Sequence, residues 1–65
     1  MPRRVLKTKA IEKQLRKAGF IKHEGAKHEK WIHPDGRRTA IRRGQKEYYG
    51  GPLDELETQS GLTFK

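Results

Sequence analysis

Sixty-five residues suffice for one small domain, in which folding hides only about 60% of the unfolded chain's surface, so any chemistry must sit on an open face or in a shallow groove. There is no cysteine, which excludes disulfides and thiolate–zinc staples. The chain carries 16 lysines and arginines against 8 acids, a net charge of +8, and every cation but Lys65 lies in residues 1–46, whereas Glu47, Asp54, Glu55 and Glu57 lie beyond. A basic body of this kind predicts a polyanionic partner, most often nucleic acid. No apolar run approaches the ~18–20 residues of a membrane span, and no apolar signal-peptide core follows Arg3 and Arg4. The expectation is a soluble cytoplasmic protein.

In chain order, Leu6 to Gly19 reads as a helix with a short lead-in. Thr8 is its expected N-cap, and Ile11, Leu15 and Ala18 recur at i, i+4, i+7 as one apolar stripe. Lys9, Lys13, Arg16 and Lys17 fall on the opposite side, either as a solvated face or as an RNA contact. Gly19 stops the helix, and Phe20 packs against its end. The period then shifts toward two, predicting strands at Phe20–His23, His28–His33 and Arg37–Arg42. Glu24-Gly25 and Pro34-Asp35-Gly36 supply the turns.

Trp31 is the heaviest apolar residue and should face the helices, which turns His28 and Lys30 the other way. With Thr39 and Ile41 inward, Arg38, Ala40 and Arg42 join them on one open sheet face. Arg43 to Gly51 reads as a loop whose Tyr48 and Tyr49 either stack on bases or, the favoured reading, serve a core or an interface. Pro52 suits the first turn of a second helix running to about Ser60, with Leu53 and Leu56 inward and Gly61 ending it. The expected fold is α+β, a single domain over residues 1–65 built as helix, three antiparallel strands, helix, resembling a double-stranded-RNA-binding domain.

The chemistry concentrates between Gly25 and Arg38. Metal-free RNA cleavage needs a base for the 2′-OH, an acid for the departing 5′ oxygen, and cations for the charge on phosphorus. His28 is the candidate catalytic residue, since an imidazole titrates near neutrality. Lys27, Lys30, Arg37, Arg38, Arg42 and Arg43 are the candidate RNA-binding cations, the arginines offering planar donors to phosphate oxygens. His33 should face away from His28 as a turn or core residue, while the direction of His23 stays open. Histidines five apart without cysteine make no zinc motif, and no carboxylate cluster suits Mg²⁺, so neither metal nor cofactor is expected.

The run Gly25-Ala26-Lys27-His28, with Trp31 three residues on and then His33-Pro34-Asp35-Gly36-Arg37-Arg38, resembles the signature of HicA-type toxins. That family pattern is Gly-Ser-(Asn or His)-His, an aromatic, then His-Pro-Asp-Gly-Arg-Arg. Residues 11–20 look like the family's first helix and its Gly-Phe exit, and Gly51-Pro52-Leu53 through Ser60-Gly61-Leu62 like its closing helix. Ala26 stands in place of the usual serine, Lys27 in place of asparagine or histidine, and Asp54, Glu55 and Glu57 where the family is often basic. The resemblance implies a cytoplasmic messenger-RNA endoribonuclease with His28 as its catalytic residue. It also implies a HicB-type antitoxin protein covering the catalytic face. Two other readings remain open at this point: a non-catalytic RNA-binding module of the same fold, and a basic structural protein of the ribosome.

Overall fold

The structure is a computed structural model and describes residues 4–65, so Arg3 lies outside the described residues. The first helix, α1, spans Thr8–Lys17. It forms because Ile11 and Leu15, one turn apart, are fully buried while Lys9, Lys13, Arg16 and Lys17 keep their charges in water. Thr8 is not the N-cap that its position suggests. Lys7 holds that place without a side-chain cap, and the Thr8 hydroxyl instead donates to the Gln45 carbonyl at 2.5 Å. The Thr8 N–H is also taken, by the Lys46 carbonyl at 2.8 Å. At the other end Gly19 adopts φ +101°, and Phe20 returns its N–H to the Leu15 carbonyl as the chain leaves the helix.

Three antiparallel strands follow: β2 at Ile21–His23, β3 at His28–Ile32 and β4 at Arg38–Arg42, in that spatial order. Each is a residue or so shorter than expected, because Phe20 belongs to the helix exit and His33 and Arg37 close the hairpin turn. There the His33 N–H meets the Arg37 carbonyl at 2.7 Å. Alternation assigns the faces as expected. Trp31, Thr39 and Ile41 point into the core, and His28, Lys30, Arg38, Ala40 and Arg42 are exposed on the other side.

The loop expected before the second helix contains a strand. Glu47–Tyr49 forms β5 and pairs with a strand at the start, β1 (Val5–Lys7), as a two-stranded antiparallel ribbon, with Leu6 opposite Tyr48. The second helix, α2, runs Gly50–Ser60 and ends on Gly61, which is left-handed at φ +73°. Leu53 and Leu56 are buried as expected, and Phe64 beyond the helix is buried with them. One core unites Ile11 and Leu15 of α1, Trp31 and Ile41 of the sheet, Tyr48, the two α2 leucines and Phe64. The chain is thus α+β, with two helices, a three-stranded antiparallel sheet and a two-stranded ribbon. No helix among the described residues is long and apolar enough to cross a membrane.

Candidate nucleic-acid interface

The outer face of the sheet is set by strand register. His28 pairs with Arg42, Lys30 with Ala40 and Ile32 with Arg38. On the other side of β3, His23 pairs with Lys30 and Ile21 with Ile32. Partners across an antiparallel ladder share a face, so His23, His28, Lys30, Arg38 and Arg42 all project from the same open surface. His28 and His23 are both exposed, and neither imidazole has a hydrogen-bond or ionic partner among the described residues.

The loop before His28 is built for close approach. A Cβ added to Gly25 would lie 2.5 Å from the His28 carbonyl oxygen, so any side chain there would push the loop off the strand. Arg43 holds this loop from the far side: its N–H donates to the Lys27 carbonyl at 2.9 Å and its guanidinium to the Gly25 carbonyl at 3.2 Å. Arg42 is anchored through its backbone, whose N–H donates to the Tyr48 hydroxyl at 2.9 Å, while its exposed guanidinium has no partner among the described residues.

The expected RNA-binding cations therefore divide. Lys27, Lys30, Arg38 and Arg42 are exposed and their side chains have no hydrogen-bond or ionic partner among the described residues. Arg43 is exposed and also tethers the 25–27 loop. Arg37 is committed elsewhere. Its guanidinium donates to the Ser60 carbonyl at the end of α2 and to Asp35 at 2.8 Å, and it stacks over Phe20 at 5.4 Å. The Arg37 N–H, with the guanidinium beside it, holds the Asp35 carboxyl below its ordinary pKa range. Lys22 is likewise occupied, bonded to Glu29 at 2.6 Å, an interaction that raises its pKa. On α1, Arg16 lies over the Trp31 ring at 5.4 Å.

His33 is a structural residue, as its position in the alternation suggests. Its Nε2 meets the Ala18 carbonyl at 3.1 Å, its Nδ1 accepts from the Asp35 N–H, and its ring packs edge-on to Phe20. Tyr48 belongs to the core. The last helix contributes one acid and one amide to the border: Glu55 and Gln59 line the same shallow hollow as His28 and Arg42. Two members of this neighbourhood were not apparent from residue types alone, Glu55 and the orientation of His23. The second follows once Lys22 is paired with Trp31, because the inward Trp31 forces His23 outward. Among the described residues, no group of three or more histidine, cysteine or acidic side chains could hold a metal ion.

In comparisons with known proteins, no family model, no curated protein and no solved structure matches this chain.

Proposed function

We propose that this chain is a metal-independent endoribonuclease of the HicA type that cleaves messenger RNA in the cytoplasm, on a fold of double-stranded-RNA-binding-domain character. The observation that carries this reading is His28, exposed and, among the described residues, unpartnered on an open sheet face, with the Arg42 backbone opposite it and Lys30 two residues along. In the proposed reaction the sugar 2′-OH attacks the adjacent phosphorus. His28 transfers a proton, and Arg42 and Lys30 hold the non-bridging oxygens as negative charge grows. The products are a 2′,3′-cyclic phosphate and a 5′-OH. Lys27 and Arg38 extend the cationic surface to neighbouring phosphates, while Glu55 repels the backbone from α2. A HicB-type antitoxin seated on this face would complete a toxin–antitoxin pair that acts in stress responses.

The test is cleavage of a single-stranded RNA in the presence of EDTA, with the product ends identified. Cleavage leaving 2′,3′-cyclic or 3′-phosphate and 5′-OH ends is the expected result. A strict requirement for Mg²⁺, or 5′-phosphate products, contradicts the mechanism. Tight RNA binding without any cleavage would favour the RNA-binding module instead.

A further inference from the structure

A single imidazole leaves the reaction half supplied, because one proton must leave the 2′-OH while another reaches the departing 5′ oxygen. We infer that His23 is the second proton-transfer group of this site, working with His28 across a phosphodiester seated over Lys30. The inference rests on the ribonuclease reading above and adds to it a named partner for His28.

The ladder carries the argument. His23 is directly opposite Lys30, and His28 precedes Lys30 by two residues on β3, so the two histidines are diagonal neighbours on one face. Diagonal positions of this kind lie roughly 7–8 Å apart, a gap that long side chains span. Two imidazoles so placed can flank one phosphate, each within hydrogen-bond reach of a different oxygen along the in-line axis. Both rings are exposed and unpartnered among the described residues, so neither is held in a structural contact as His33 is. Charge steers the substrate the same way. Glu55 lines the hollow on the β4 side of the face, and Lys30, directly opposite His23, draws the phosphate over β3 toward β2. His28 faces Arg42 across one side and His23 faces Lys30, with Glu24 and Lys22 as chain neighbours of His23 and Lys27 and Glu29 as those of His28.

The step balances without a co-reactant. The 2′-O–P bond forms as one neutral imidazole takes the 2′-OH proton, and the P–5′-O bond breaks as the other, protonated, gives its proton to the leaving oxygen. The roles then reverse for hydrolysis of the cyclic phosphate by water.

The experiment compares wild type, His23→Gln and His28→Gln on a short RNA and on uridine 3′-(4-nitrophenyl phosphate), whose leaving group needs no proton. Thermal melting confirms that each variant is folded. Wild-type kcat/KM against pH should be bell-shaped on RNA. Each variant should lose about 10²-fold or more and retain a single limb. On the nitrophenyl ester, the variant lacking the acid should regain most of the wild-type rate, and the variant lacking the base should stay slow. His23→Gln cutting RNA at the wild-type rate with both limbs intact, while His28→Gln is inactive, overturns the role of His23 alone. Equal behaviour of both variants on the ester overturns the division of labour. A wild-type protein that cleaves neither substrate overturns the ribonuclease reading itself.

Discussion

Arg37, just before β4, and Arg42, its last residue, look alike in the sequence and do different work. Arg37 satisfies the carbonyl of Ser60, a residue with no exposed surface, and bridges to Asp35. Replacing it with alanine strands the buried Ser60 carbonyl and should cost about 1–3 kcal/mol of stability. Loss of Arg37 should leave the salt dependence of RNA binding nearly unchanged, because its guanidinium is committed to Ser60 and Asp35. Arg42→Ala removes an outward guanidinium, so stability should change by less than about 0.5 kcal/mol. The slope of log affinity against log salt should instead shrink by about 0.7, the value for one phosphate contact on a single strand. Thermal melts and salt-dependent binding on both variants check this; an Arg37→Ala protein as stable as wild type would contradict it. The distinction could not be read from residue type, because the partner that captures Arg37 lies 23 residues away in the chain. Gly25 is the converse case. Its place in the motif was visible, and the 2.5 Å approach to the His28 carbonyl supplies the physical reason.

At the scale of elements, legibility follows how much one residue dictates. β3 was readable because Trp31 has only one place to go, and its burial orients every residue on the strand and, through the ladder, on β2 and β4. The β1–β5 ribbon was not, since each strand has three residues and each contributes one inward side chain, too few for a period. Its pairing joins segments some forty residues apart, and the same long-range contact draws Thr8 away from capping. This ribbon reaches the site through Tyr48, whose hydroxyl accepts the Arg42 N–H. Tyr48→Phe keeps the ring in the core and unpairs that N–H. We expect a loss of about 1 kcal/mol in urea unfolding, accompanied by slower RNA cleavage as Arg42 loosens. Unfolding and cleavage both unchanged would mean that β5 does not position the site.

Over the whole molecule, the buried core residues and the exposed sheet cations fall on opposite faces, with Ile21 and Ile32 the apolar members of the cationic face. The inner side of the sheet and both helices share one small core, which leaves the outer side of the same three strands open among the described residues. Lys30, Arg38 and Arg42 populate that surface from alternate positions, so the period that buries Trp31 and Ile41 also gathers the cations. The molecule measures 36 × 24 × 17 Å, and the proposed chemistry needs no deep cleft. The claim on which all of this turns is that His28 transfers a proton and does not merely occupy a strand. Measuring melting, RNA affinity and RNA cleavage on a single His28→Gln preparation tests it most directly. The expected result is a melting temperature and an RNA affinity close to those of wild type, with cleavage slowed by about 10²–10⁴-fold. A variant that melts far below wild type, or that still cuts RNA at a comparable rate, would contradict the catalytic assignment.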